Sequence, residues 1–205
     1  MPRLAGCVPP REAMPRTVPR PIGASRLPDG TRVTVRAACP RDAVRIQDYV
    51  RSLLPSSRYD RFLAPLNELS PTELARIGGD GEKQATLIAE MKTGGARIII
   101  GEARYTAGGD ACEIALSVAD AWRGRGLGSL LMDCLECRAR KFGIPRLVGD
   151  VLRSNAAMRT LARKFGFDTG MPADARLVRI VKDISAARIG TPCGQLATSR
   201  LRVAA

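Results

Sequence analysis

The stretch Val118–Ser129 reads VADAWRGRGLGS, and the rest of the chain is organised around it. The apolar run Ile114–Val118 predicts a strand before it, and the leucines of Leu127–Leu135 have the spacing of a helix after it. Three glycines and two arginines therefore lie between a strand and a helix N-terminus. Glycine lets the backbone approach a ligand closely, and N–H groups of a first helical turn bind phosphate. The stretch predicts a loop that holds a pyrophosphate.

The glycine spacing alone does not identify the ligand. Gly124-x-Gly126-x-Gly128 differs from the dinucleotide fingerprint G-x-G-x-x-G, and no Gly-Lys-Ser/Thr follows it as in a P-loop. The loop has to be interpreted together with the segments that accompany it.

Composition excludes several kinds of chemistry. The chain has six cysteines and no histidine, so Ser-His-Asp and Cys-His catalysis are excluded and the commonest metal ligand is missing. Cys134 and Cys137 form a CxxC within the predicted helix, which is a weak zinc signal without a second pair, and we expect no metal. Scattered cysteines are typical of a reducing compartment, so we expect a cytoplasmic protein.

The net charge is +13, and it is spread along the chain. A basic protein can bind nucleic acid, anionic cofactors or acidic protein surfaces. With three Tyr, four Phe and one Trp, a stacking platform for single strands is poorly supported, so we do not expect nucleic acid as a partner. No apolar run approaches the roughly 20 residues of a membrane span, and no membrane contact is expected.

The patterns divide the chain into three parts. Residues 1–30 contain half of the 14 prolines and no periodicity, which predicts a disordered leader. Residues 31–185 alternate between strand and helix patterns, and residues 186–205 are predicted to be a flexible basic tail. The predicted order is strand 33–37, helices 42–54, 56–66 and 71–77, strands 85–91, 96–103 and 111–118, helix 127–142, strand 146–152, helix 155–165 and strand 177–184. This order is typical of an α/β domain around one mixed sheet.

Local signals predict several boundaries within that order. Asp42 is expected to cap the first helix, Ser70 and Glu73 to form a capping box at the third, and Asn155 to cap the last. Thr93-Gly94-Gly95 predicts a turn between two strands, and the continuous apolar run Ile98–Ile100 predicts that its strand is central.

Several of these segments together resemble the GNAT acetyltransferase superfamily. They are Arg123-x-x-Gly126-x-Gly128, the strand 146–152, and the run Asn155-x-x-Met158-x-x-Leu161-x-x-Lys164-x-Gly166-Phe167. The first strand Arg32–Arg36, followed by Pro40-Arg-Asp42, is similar to the start of that domain. More narrowly, Asp29-Gly30, Ser57–Phe62 and Leu69-Ser70 resemble the GNAT domain of Pat-type bacterial protein lysine acetyltransferases.

The resemblance implies a fold and a cosubstrate. The fold is a mixed, mostly antiparallel sheet of about six to seven strands with flanking helices and a splayed gap, and acetyl-CoA enters that gap. Backbone groups of Leu116, Ser117 and Val118 would pair with pantetheine like an added strand. The pyrophosphate would meet N–H groups of the loop, with two arginines adding charge. In the glycine loop and at the start of the helix after strand 146–152, the implied cofactor-binding residues are Arg123, Gly124, Arg125, Gly126, Leu127, Gly128, Ser129 and Asn155.

Glu113 is the candidate general base. An amine attacks a thioester only when it is neutral, so a base near the thioester is needed. Alternation along the strand places Glu113 on the same side as Ala115 and Ser117, and a glutamate at the matching position is implied to do this work in Pat-type enzymes. The alternative is a glutamate at the exposed start of the strand, paired with Arg104.

The acceptor and one catalytic group stay open. Many GNAT enzymes have a general-acid tyrosine directly after the leucine that matches Leu161, whereas this chain has Ala162. Either another group such as Ser154 acts as the general acid, or the CoA thiolate leaves without one. Tyr59 and Arg61 either border the acceptor site or pack a helix. We expect acetyl transfer to a primary amine. The leading candidate is a lysine of a protein such as an acyl-CoA synthetase. The alternatives are a small amine as acceptor, or a non-catalytic domain that binds acetyl-CoA. The sequence does not give the oligomeric state.

Overall fold

The computed structural model describes residues 19–80, 82–172 and 174–185. Strands β1–β8 span Pro21–Arg26, Arg32–Ala37, Gln84–Thr93, Ala96–Gly108, Ala111–Val118, Arg146–Leu152, Asp168–Gly170 and Leu177–Asp183. Helices α1–α5 span Ala43–Ser52, Pro55–Phe62, Pro71–Ala75, Leu127–Lys141 and Ala156–Lys164. Short 3₁₀ turns precede α1, at Pro40–Asp42, and the glycine loop, at Asp120–Trp122.

The described strands form one eight-stranded sheet in the order β1-β2-β3-β4-β5-β6-β8-β7. Neighbours are antiparallel except for β5 and β6, which are parallel. The predicted mixed, mostly antiparallel sheet is confirmed, as is the central place of the apolar strand that contains Ile98–Ile100. The predicted order contains six strands. The two strands that it lacks, β1 and β7, form the two edges of the sheet.

Strand β1 corrects one sequence expectation. Pro21–Arg26 lies inside the segment predicted to be a disordered leader, yet it pairs antiparallel with β2. An edge strand tolerates proline at its first residue because that N–H is not needed by the ladder, so the proline-rich composition masked the strand. Residues 1–18 and the predicted tail 186–205 lie outside the described residues.

The core lies on both faces of the sheet. Leu87 and Ile88 are neighbours on β3 and are both fully buried, one in each of two hydrophobic clusters. Helix α4 covers one face with side chains such as Leu131 and Leu135, while α1 covers the other with Ile46 and Tyr49. The gap described below therefore opens between two packed layers.

The second layer also contains a buried ion cluster. Arg36 on β2 donates to Asp42 at 2.7 and 2.8 Å and to Glu90 on β3 at 2.8 and 3.0 Å. Asp42 was predicted to cap the first helix; it stands at that position, but no cap hydrogen bond forms. Its carboxylate binds Arg36 and the N–H of Cys39 instead. The structure thus uses Asp42 to anchor α1 to the sheet.

Local signals place most of the other boundaries. Ser70 and Glu73 form the predicted capping box at the start of α3, although that helix ends at Ala75 rather than at Ile77. Gly94 and Gly95 adopt positive φ in the predicted turn between β3 and β4. No helix among the described residues is both long and apolar enough to cross a membrane.

Candidate acetyl-CoA site

A gap in the sheet forms the centre of the site. Strands β5 and β6 pair only through Cys112 with Leu147 and Glu113 with Val148. Beyond that point β5 continues to Val118 with β4 on one side, and no strand among the described residues lies along its other backbone edge. An edge of this kind accepts an extended ligand as a further strand, as the sequence interpretation expected.

A cavity of about 250 Å³ lies at this gap. It contacts β5, the glycine loop, the first turn of α4, α5 and, from the other layer, α2. Its lining residues are Ser57, Asp60, Arg61, Leu116, Ser117, Val118, Trp122, Arg123, Gly124, Gly126, Leu127, Gly128, Ser129, Asn155, Ala157, Met158 and Leu161. The structure therefore brings together every predicted cofactor-binding residue except Arg125.

The glycine loop has the backbone form of an anion site. Gly124 and Gly126 have φ of 73° and 82°, and Gly126 is the N-cap of α4 without a side-chain cap. The first-turn N–H groups of Leu127, Gly128 and Ser129 have no intrahelical acceptor, as at any helix start, and these residues line the cavity. A Cβ on Gly128 would lie 3.4 Å from Leu161, so this glycine also lets α4 and α5 approach.

Replacing Gly124 with alanine tests whether the backbone form of the loop matters for binding. A Cβ there meets nothing within 4 Å, so the variant adds only the strain of a positive φ, about 1–2 kcal/mol. We expect the Kd for acetyl-CoA, measured by calorimetry, to rise about tenfold as the loop relaxes. Gly166→Ala is the matched control, because Gly166 has φ of 72°, equally open space and no place in the cavity lining. It should lose similar stability and keep its affinity; equal losses of affinity would contradict the assignment.

The two loop arginines have protein partners that the sequence did not predict. Arg123 lines the cavity, but one terminal nitrogen binds the Ser57 hydroxyl at 2.8 Å and lies 3.3 Å from Asp120. Arg125 stacks on Trp122 and pairs with Asp29 at 2.6 Å, in the turn between β1 and β2. Arg125 therefore supports the loop from behind the cavity, while Arg123 joins the loop to α2.

Asp120 fixes the loop against α2. Its carboxylate accepts the N–H of Leu54 at 2.9 Å and the hydroxyl of Ser57 at 2.5 Å. Burial opposes ionisation of Asp120, but these hydrogen bonds and Arg123 keep its pKa below the usual value. This ionised group connects the predicted pyrophosphate loop to the helix that lines the opposite side of the cavity.

A second set of buried polar groups lies beside the unpaired edge of β5. The Tyr49 and Ser117 hydroxyls are 3.0 Å apart. Glu102, directly across the β4–β5 ladder from Ser117, accepts from Arg61 at 3.0 Å and from Arg104 at 2.8 Å. Although burial raises the pKa of Glu102, the two arginines lower it below its usual value, so this buried carboxylate is ionised.

Glu113 lies outside the cavity lining. Its side chain is exposed, and the residue pairs with Thr106 on one side and Val148 on the other, at the last pair before the gap. It is four residues from Ser117, about 13 Å along the strand. The alternative expected an exposed glutamate near the start of the strand, which is confirmed, but its pairing with Arg104 is wrong, since Arg104 binds Glu102 instead.

Asp150 on β6 is an acidic group that the sequence interpretation missed. It lies two residues beyond Val148, on the same face of the sheet. One carboxylate oxygen binds Arg179 at 2.7 Å, and the other is buried with no hydrogen-bond partner among the described residues. An isolated Asp in an apolar strand carries no local signal, because only the pairing of β6 places it near the gap.

Other predictions depended on helix α5. Asn155 caps α5 by accepting the N–H of Met158 at 2.9 Å, as predicted. Ala162 is buried in the core, so that position offers no acid to the cavity, while Ser154 is exposed. Sequence reasoning missed Ser57, Asp60 and Trp122 as cavity residues. The Ser57–Phe62 motif was the available signal for the first two, since its residues are adjacent on α2.

Metal ligands do not converge in the described part of the chain, where no group of three or more Cys, Asp or Glu is placed to hold an ion. Cys134 of the CxxC is buried in α4, and burial raises the pKa of its thiol to about 12.

Comparisons with known proteins agree with this geometry. Residues 50–167 match the model of the acetyltransferase (GNAT) family. The chain is 31% identical over 144 residues to acetyltransferase PA5475 of Pseudomonas aeruginosa, covering 69% of this chain and 77% of that protein. It is 35% identical over 79 residues to acetyltransferase Pat of Mycolicibacterium smegmatis, covering 37% of this chain and 24% of Pat.

Solved structures share the fold. The GNAT domain of S. lividans Pat superposes with a TM-score of 0.73 at 29% identity, over 79% of this chain and 96% of that one. The acetyltransferase yncA of Salmonella typhimurium, solved with its cofactor acetyl-CoA, superposes with a TM-score of 0.59 at 19% identity, over 78% of this chain and 97% of that one. At that identity, yncA supports the fold alone.

Proposed function

The chain belongs to the acetyltransferase (GNAT) family and uses acetyl-CoA, and from this premise we propose that it acetylates a lysine side chain of a protein. The observation that supports acetyl transfer is the gap beside Leu116–Val118 with the N–H groups of Leu127–Ser129 at its end. One arrangement then receives both the extended pantetheine and the charged pyrophosphate of the donor.

The chemistry follows from that placement. The amine nitrogen attacks the thioester carbon, a C–N bond forms and the C–S bond breaks, so that CoA leaves as a thiolate. Because pantetheine follows β5 from the loop back into the gap, the thioester lies towards the closed end of the gap. The proton released by the amine has to go to a base on the same side.

We assign that base to Glu113. It stands at the last β5–β6 pair, and alternation along the strand places it on the side of Ser117, the face of the sheet that α1 covers. Its exposed carboxylate reaches the amine through water, which is a usual route for a general base. A direct contact is not required for this assignment.

The lysine acceptor is supported by the likeness to Pat proteins. An acyl-CoA synthetase is the partner that this likeness suggests, and a cytoplasmic location fits such a partner. The proposed domain itself extends from β1 to residue 185, with the leader before it and the tail after it. The competing acceptor is a small primary amine, and the competing function is binding of acetyl-CoA without turnover.

Release of CoA thiol tests these alternatives. The protein is incubated with acetyl-CoA and, in separate reactions, an acyl-CoA synthetase, a lysine peptide with a blocked N-terminus, and a panel of small amines. We expect thiol release and a mass increase of one acetyl group with the protein or peptide. Faster turnover of a small amine would overturn the lysine assignment, and tight binding of acetyl-CoA with no thiol release from any amine would overturn catalysis.

A further inference from the structure

The buried carboxylate of Glu102 is shared by two arginines. Arg61 approaches one oxygen at 3.0 Å and Arg104 the other at 2.8 Å, and the Glu102 side chain is fully buried. Glu73, which is half-buried, is a second carboxylate whose charge acts on both arginines, so Glu102 is the fully buried anion that holds them beside Ser117. A buried guanidinium is stable only where such an anion accepts its hydrogen bonds.

Of the two arginines, Arg61 faces the cavity. Its side chain is only 8% exposed, and the residue lines the cavity, whereas Arg104 does not. Its Nε binds Glu102, while its two terminal nitrogens have no hydrogen-bond partner among the described residues. Burial lowers the pKa of Arg61, partly offset by Glu102, but a guanidinium stays charged at neutral pH.

The sheet register places this charge near the reacting atoms. Glu102 pairs with Ser117, in the middle of the edge assigned to pantetheine, several residues before the loop assigned to the pyrophosphate. Arg61 is therefore closer to the thioester end of the donor than to its phosphates. The phosphates have the N–H groups of α4, so the terminal nitrogens of Arg61 are left for a different acceptor.

We propose that Arg61 is a catalytic residue that donates hydrogen bonds to the thioester carbonyl oxygen as this oxygen becomes negative. This inference rests on the proposed acetyl transfer. When the amine nitrogen bonds to the carbonyl carbon, the π electrons move to oxygen, and the guanidinium stabilises the resulting oxyanion. When the C–S bond breaks, the carbonyl re-forms, the electron pair leaves with sulfur, and the amine proton goes to the base.

The strength of this effect follows from preorganisation. Glu102 fixes Arg61 through Nε before the donor binds, so the terminal nitrogens need little reorientation during reaction. Donors held in this way in a water-poor site stabilise the transition state more than the ground state. Loss of Arg61 should therefore lower kcat far more than it weakens acetyl-CoA binding.

The test compares Arg61→Gln with Arg104→Gln in full-length protein, using the best amine found for the wild type. Each variant removes one partner of Glu102, but only Arg61 lines the cavity. We expect Arg61→Gln to lower kcat about 100-fold or more, with KM for acetyl-CoA within about threefold of wild type. Arg104→Gln should stay within about fivefold of wild-type kcat, and Arg61→Lys should recover about tenfold, because a lysine keeps the charge but not the fork.

The pH profile separates this role from a structural one and from that of the base. Arg61→Gln should lower the rate at every pH without changing the shape of the profile. Equal kcat losses in Arg61→Gln and Arg104→Gln would overturn the inference, as would wild-type kcat in a folded Arg61→Gln. Acetyl-CoA affinity shows that each variant is folded. An inactive wild type would instead refute the acetyl transfer itself.

Discussion

Replacing Arg36 with leucine lowers the free energy of unfolding by about 3–5 kcal/mol, because two buried carboxylates lose the buried cation that they share. Arg36 binds both Asp42 and Glu90, and all three side chains are at most 5% exposed. Without it, the shared cation that remains is Arg45, whose side chain is partly exposed. Urea denaturation followed by circular dichroism measures the loss.

Arg45→Leu is the control for that variant. Arg45 contacts the same two carboxylates, at 2.9 and 2.7 Å, but its side chain is 35% exposed. Solvent screens such a charge, so we expect a loss of about 1 kcal/mol or less. If the two variants lost equal stability, the cluster would not depend on the buried arginine.

The same cluster predicts a pH dependence. Burial opposes ionisation of Asp42, but the hydrogen bonds and charge of Arg36 keep its pKa well below the usual value. A lowered pKa stabilises the fold above the unfolded value of about 4, and this stabilisation is lost as the pH falls below it. Stability of the wild type should therefore fall steeply below about pH 4, and the gap between wild type and Arg36→Leu should narrow there. A constant gap between pH 7 and pH 3 would contradict this account.

Glu113→Gln lowers kcat about 100-fold or more while the Kd for acetyl-CoA stays the same. General-base catalysis contributes about 10²–10⁴ to a rate, and glutamine cannot accept the proton. Binding should not change, because Glu113 lies outside the cavity lining. Stopped-flow measurement of thiol release gives kcat, and calorimetry gives the Kd. The deficit should shrink towards pH 10, where the proposed lysine acceptor loses its proton unaided.

Two further variants make that result specific. Asp110→Asn removes an exposed carboxylate from the turn before β5, where it pairs with Arg146, and should leave kcat unchanged. Asp150→Asn tests the carboxylate on the other side of the gap. Wild-type kcat in Glu113→Gln, together with a loss of about 100-fold in Asp150→Asn, would move the base from β5 to β6.

Most of the sheet could be predicted from local patterns. Alternation identified β2 and β8, apolar runs identified the central strands, and the glycine after each of α4 and α5 ended those helices near Lys141 and Lys164. These features depend on residues close in sequence. The edge strand β1 was missed because the prolines of the surrounding segment 1–30 outweighed its alternation.

The candidate site also combines features that are local in sequence with contacts that are not. The glycine loop could be found from the sequence because strand, turn and helix are consecutive, and its residues do line one cavity. The actual partners of Arg123 and Arg125 could not be found, because Ser57 and Asp29 are distant in sequence. Long side chains bind whichever carboxylate or hydroxyl the fold brings near.

By itself, the sequence determined the six inner strands of the sheet, the helices and the glycine loop that leads into α4, because glycine conformation and hydrophobic spacing are local properties. Only the tertiary structure decided where β5 and β6 separate, that Glu113 stands at the last pair before the gap, and that Arg61 faces the cavity while Arg104 does not. The reason is physical: strand pairing brings together residues that are far apart in the chain, and burial then decides which charged groups face the cavity.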